Sequence, residues 1–143
     1  MRLPVEKRIN VTVQSVVAGG WHELPLVVRH VPEDPLAVRM EFRASENEPP
    51  IATWVFSRDL LATGLILPSG EGDVRVRPHG EDETDVELTA GWAWCVVRMA
   101  SADVRDFVVR TRSAEEYCGQ EIDIALDRIL TELLPSGVKN ADS

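Results

Sequence analysis

Apolar and polar residues alternate through much of the first two-thirds of the chain. Ile9, Val11 and Val13 are separated by Asn10 and Thr12, the two-residue period of a half-buried strand. Gly19-Gly20 breaks that run, and Leu24-Pro25-Leu26-Val27-Val28 begins a second strand. Pro25 lacks the N–H a ladder needs, so it belongs at a strand start or an edge. Val31-Pro32-Glu33-Asp34-Pro35, with two fixed φ angles, predicts a turn. Beyond it Leu36, Val38, Met40 and Phe42 alternate with Ala37, Arg39, Glu41 and Arg43, the clearest strand in the chain. Residues 51–56 are apolar on both faces except at Thr53, which predicts an interior strand with Trp54 and Phe56 buried.

Ser57 is a credible N-cap for a short helix, Asp59 suits its first turn, and Gly64 is expected to stop it. Residues 68–73 read as a turn, after which Val74 and Val76 alternate with Arg75 and Arg77 as far as Pro78. Residues 79–85 are expected to be a solvated acidic loop, and Val86, Leu88 and residues 92–99 supply the last strands. The final third is helical. Ser101 predicts a cap for a helix to about Arg112, with Val104, Phe107, Val108 and Thr111 on one face. After a linker over 113–120, Ile122, Leu126, Ile129, Leu130, Leu133 and Leu134 mark a second helix that Pro135 and Gly137 end. Strands first and helices last is an α+β order, expected as one domain over 1–135 with a flexible tail over 136–143.

Composition agrees with this reading. The 143 residues suit one domain, and 44% hydrophobic with 27% charged residues suits a globular chain. No run approaches the about 20 apolar residues needed to span a bilayer, and the first residues lack an apolar signal core. The expectation is a cytoplasmic protein without membrane insertion. Charge changes the picture more. Residues 1–80 carry 10 acids and 9 bases, whereas residues 81–143 carry 14 acids and 6 bases, giving −9 in all. Such a surface repels polyanions, so nucleic-acid binding would need a locally basic face. Cys95 and Cys118 are expected to be free thiols.

No catalytic, cofactor or metal site is predicted. His22, His30 and His79 lack the spacing of a ligand set, no serine lies in a nucleophile elbow, and Gly70-Glu71-Gly72 lacks the rest of a phosphate-binding fingerprint. The candidate partner-binding residues are Arg39 and Arg43 on one strand face and Arg75 and Arg77 on another. They would form a basic strip if those faces meet, and would otherwise pair with Glu41 or Glu87. Trp92 and Trp94 share a strand parity and are candidates for core or for an oligomer contact.

Three ordered blocks carry a resemblance. Asp34-Pro35-Leu36-Ala37-Val38-Arg39-Met40-Glu41-Phe42, then residues 54–65 from Trp54-Val55-Phe56-Ser57-Arg58-Asp59 onward, then Pro68-Ser69-Gly70-Glu71-Gly72-Asp73-Val74-Arg75-Val76 resemble the SsgA-like proteins of sporulating actinomycetes. Within these blocks Asp34, Pro35, Trp54, Phe56, Arg58, Asp59, Gly70 and Gly72 are family-motif positions with mainly structural roles. The resemblance implies a trimer of antiparallel sheets in a barrel-like body with C-terminal helices, similar to the Whirly single-strand nucleic-acid binders. It also implies a non-enzymatic accessory protein of sporulation-specific division. The best understood members recruit the tubulin-like protein FtsZ to septum sites and promote its assembly, positioned by an SsgA-type partner. Others are implied to guide peptidoglycan synthesis or spore-wall remodelling. A single-strand nucleic-acid binder is the alternative that the fold likeness suggests, and the acidic balance disfavours it.

Overall fold

The computed structural model of the protein describes residues 3–17 and 19–112. The predicted second helix, Cys118, the boundary at 135 and the tail over 136–143 lie outside the described residues. Seven antiparallel strands form one curled sheet, a half-barrel, rather than several sheets. They are β1 (Val5–Ser15), β2 (His22–His30), β3 (Ala37–Arg43), β4 (Pro50–Ser57), β5 (Val74–His79), β6 (Glu83–Ala90) and β7 (Ala93–Ala100). The order across the sheet is β4-β3-β2-β1-β7-β6-β5. Two meanders, β1 to β4 and β5 to β7, are thus joined where Thr12 to Ser15 pair with Arg98 to Cys95.

Alternation decides which side chains face the core. Ile9 and Val11 of β1, Leu26 and Val28 of β2, Val38 and Met40 of β3, Val76 of β5, Val86 and Leu88 of β6, and Val97 and Met99 of β7 are all buried on the inner face. A helix over 101–112 packs on that face through Val104, Phe107, Val108 and Thr111, the four residues the spacing assigned to it. Its hydroxyl groups serve packing: Thr111 Oγ1 donates to the Val108 carbonyl at 2.7 Å, and Ser101 Oγ lies 2.7 Å from Thr84 Oγ1. Lys7, the one charged inner-face residue of β1, reaches Asp106 of this helix at 2.9 Å.

Helix α1 (Arg58–Gly64) follows β4 and packs against β5, so it bridges the two ends of the strand order. Ser57 caps it as expected, its hydroxyl accepting from the Leu60 N–H at 3.3 Å. Gly64 does not stop the helix by a left-handed turn; it is the last helical residue, and Leu65 is the cap with φ −67°. Gly64 is required instead because any Cβ there would collide with Val76.

Two further expectations need correction. The strand over 51–56 is at the edge of the sheet, not inside it: β4 pairs only with β3 among the described residues. Phe56 is buried, but Trp54 is half-buried, because no described strand lies on the far side of β4. The acidic loop is also shorter than expected. His79 ends β5 and Glu83 begins β6, so Asp85 lies in a strand and is buried.

Candidate functional site

The outer face of the sheet carries the polar chemistry. On the first meander, register aligns Glu6 with Arg29, and Arg29 with Arg39. Arg29 Nε lies 2.9 Å from Glu6 and its Nη1 lies 3.2 Å from Glu41. Arg43 lies 3.1 Å from the other oxygen of Glu41 and donates to the Glu48 carbonyl at 2.8 Å. Two guanidinium groups therefore hold one carboxylate that is nine-tenths buried, the arrangement that makes burial of a charge tolerable. Beside this cluster is an open cavity of about 180 Å³ lined by Glu6, Arg8, Asn10, Pro25, Arg29 and Arg43, among others. Arg8 and Arg39 are exposed and have no ion pair among the described residues.

On the second meander, Asp85 is held by Arg98 through two hydrogen bonds of 2.8 and 3.0 Å. His79 Nδ1 lies 3.7 Å from the same carboxylate, and the Arg98 guanidinium stacks 4.3 Å above the Trp21 ring. Arg77 pairs with Glu87 at 3.4 Å. Arg75 faces Glu87 in register and is exposed.

The four predicted arginines thus share the outer face but not one site. Arg39 and Arg43 lie on β3, Arg75 and Arg77 on β5, and β2, β1, β7 and β6 intervene. No continuous basic strip forms, and Arg43 and Arg77 are engaged by Glu41 and Glu87, the paired alternative. The sequence reading missed Arg29, Arg98 and the buried Asp85. Alternation along β2 places Arg29 on the charged face, but partner identity needs the strand order.

The tryptophans separate as well. Trp92 lies in the two-residue turn before β7, where Gly91 takes φ 62°, and is 79% exposed. Trp94 is on the strand and 40% exposed. The Val16 N–H bonds the Trp94 carbonyl at 3.1 Å, which brings the end of β1 to the start of β7. Val16, Val17, Trp21, Trp92 and Trp94 are the large exposed apolar residues at this end of the sheet. Sequence parity alone could not assign Trp92 to the turn.

Several motif positions lie at backbone contacts. His30 Nε2 lies 2.9 Å from the Pro35 carbonyl, the Asp34 N–H bonds Val31 at 3.1 Å, and the Arg58 N–H bonds Leu36 at 2.9 Å. The Asp34-Pro35 turn therefore anchors the start of α1. Arg58 is buried and lies 3.5 Å from Asp59. Gly70, at φ 104°, lets Ser69 pair with Val76 by two backbone bonds of 2.8 and 2.9 Å, whereas Gly72 faces open space. Burial pushes the Cys95 thiol above its ordinary value.

Comparison with known proteins gives a consistent answer. The family model described as Streptomyces sporulation and cell division protein, SsgA, matches residues 24–117. A sporulation-specific cell division protein SsgB of Saccharopolyspora erythraea is 36% identical over 130 residues, covering 88% of this chain and 91% of that protein. A structure solved for work on SsgB mutations and longitudinal cell division in sporulating Streptomyces coelicolor has a TM-score of 0.67 at 29% identity, covering 80% of this chain and 90% of that one. The SsgA-like sporulation-specific cell division protein of Thermobifida fusca has a TM-score of 0.65 at 25% identity, over 88% and 96%.

Proposed function

Because the chain belongs to the SsgA family of sporulation and cell division proteins, we propose that it is a non-enzymatic accessory of sporulation-specific division. In this reading it recruits FtsZ to the septum, together with an SsgA-type partner, and promotes FtsZ assembly as a homotrimer. The observation that carries the reading is a sheet whose outer face presents charge pairs and an apolar end. Exposed tryptophan beside arginine is the composition that protein interfaces favour.

Multivalency supplies a mechanism. Three copies of one weak site raise the local concentration of FtsZ protomers, and linked sites can gain about 10²–10⁴ in avidity without any new contact. Exposed cations of the outer sheet face, Arg8, Arg39 and Arg75, with the half-exposed Arg77, supply the charged contacts. The single-strand nucleic-acid reading has less support, since Arg98 beneath Trp21 is already neutralised by Asp85. Sedimentation of FtsZ polymers with the protein tests the proposal: recruitment carries the protein into the pellet and increases pelleted FtsZ. A protein that stays in the supernatant would reject it.

A further inference from the structure

The two edges of the sheet are treated differently by the sequence. The β5 edge carries Arg75, Arg77 and Pro78, and Ser69 covers part of it by pairing with Val76. Charges, prolines and covering segments are the devices by which proteins prevent a sheet edge from adding another strand. Among the described residues the β4 edge has none of them beyond Pro50 at its first residue. Its sequence, Pro-Ile-Ala-Thr-Trp-Val-Phe-Ser, carries no charge, and Ile51 and Val55 are 65% and 52% exposed. Among the described residues, no backbone hydrogen bond beyond the β3 ladder is made by residues 50–56.

We propose that β4 is a contact between two copies of this chain, the edge strands pairing antiparallel about Thr53 so that the two sheets become continuous. The strand is self-complementary in that register. Thr53 meets its own copy, Ile51 meets Val55, and the small Ala52 lies opposite the bulky Trp54, twice by symmetry. Branched and aromatic cross-strand pairs of this kind are the unit of sheet stabilisation. Ala52 leaves room for the Trp54 ring, whose half-exposed face the pairing covers.

Charge selects this edge for a second copy of an acidic chain. Of the −9, the first 80 residues contribute −1, and β4 itself contributes nothing. In strand order β4 is five places from β6, which bears Glu83, Asp85 and Glu87. Pairing two copies of this uncharged strand therefore sets no like charges opposite one another across the new ladder. An isologous contact of this kind closes on itself and does not propagate into fibres. The inference goes beyond FtsZ recruitment and does not depend on it. If a trimer forms through another surface, each trimer carries three β4 edges, and the doubled mass then corresponds to two trimers joined through all three.

Sedimentation equilibrium of the full chain tests it through opposed charges. In the wild type the mass should rise with concentration to twice that of the smaller species. Thr53→Lys and Thr53→Glu place like charges at the symmetry axis, so each alone should halve the mass at equal concentration. An equimolar mixture of the two should restore the wild-type mass. Ile51→Lys mixed with Val55→Glu should restore it likewise, an independent check if either Thr53 variant folds poorly. A single variant that keeps the wild-type mass with a native circular dichroism spectrum would overturn the proposal. Mixtures that stay at half mass would overturn it too.

Discussion

No side chain fits between Gly64 of α1 and Val76 of β5, because a Cβ on the glycine would fall within the valine side chain. Gly64→Ala should therefore push α1 off β5 and cost about 1–3 kcal/mol, as overpacked sites do. Gly72→Ala, in open space, should change stability by about 0.5 kcal/mol or less. Urea denaturation of both variants checks the contrast. Equal midpoints would show that the contact yields freely.

The Asp85–Arg98 pair should be the most sensitive polar contact on the outer face. The carboxylate is nearly inaccessible, so Arg98→Met leaves a buried charge whose remaining basic neighbours are His79 at 3.7 Å and Arg77, its register partner on β5. The expected cost is about 3 kcal/mol, the lower end for a broken buried pair, because Arg98 is partly in solvent. Thermal melting of Arg98→Met and of the double variant with Asp85→Asn measures it. The double variant should recover part of the loss.

The Lys7–Asp106 bridge predicts a pH dependence. The hydrogen bond from Lys7 lowers the Asp106 carboxyl below its ordinary value, and the same bond raises Lys7. A lowered carboxyl contributes stability above its unfolded value and loses it as pH falls through the folded value. A raised lysine contributes below its unfolded value and loses it as pH rises through the folded one. The bridge therefore acts across the neutral range and fails at both extremes. Melting temperatures of Asp106→Asn should depend less on pH in the acidic limb than those of the wild type.

Removing Trp92 should separate assembly from folding. The ring is 79% exposed in a turn, so Trp92→Ser should leave the melting temperature close to that of the wild type. If the tryptophan end is the trimer contact, light scattering of this variant should show a smaller mass at micromolar concentration. An unchanged mass would move the trimer contact elsewhere.

Reversal of Arg75 and Arg77 to glutamate should weaken co-sedimentation with FtsZ while the fold persists. Both side chains are exposed, although the Arg77 reversal also sets a carboxylate beside Glu87. The stability cost should be about 1 kcal/mol or less. Full co-sedimentation by the double variant would dismiss these arginines as the partner site.

Local pattern made most strands and both described helices legible, since alternation and capping depend on near neighbours. Val104, Phe107, Val108 and Thr111 are buried together because helical spacing alone puts them on one face. Strand order was not legible, and the corrections at β4 and at Asp85 follow from that. β4 looked interior because it is uncharged, yet edge or centre is decided by which strands pair, not by the strand itself. Asp85 looked solvated among its acidic neighbours until register set it opposite Arg98. Alternation puts Arg39 with Arg43 on one strand face and Arg75 with Arg77 on another, but their separation by four intervening strands depends on the strand order.

The short β1–β7 ladder has a kinetic consequence. Within each meander every strand pairs with its sequence neighbour, so those contacts need only small loops to close. Thr12 to Ser15 must instead find Arg98 to Cys95 across most of the described chain, and just four residue pairs reward that closure. Loop entropy is spent there before much is gained. The two meanders should therefore form early as separate hairpin arrays, with their junction as the slow event. The same junction should exchange its amide hydrogens sooner than the nine-pair β1–β2 ladder beside it, since only four residue pairs close it.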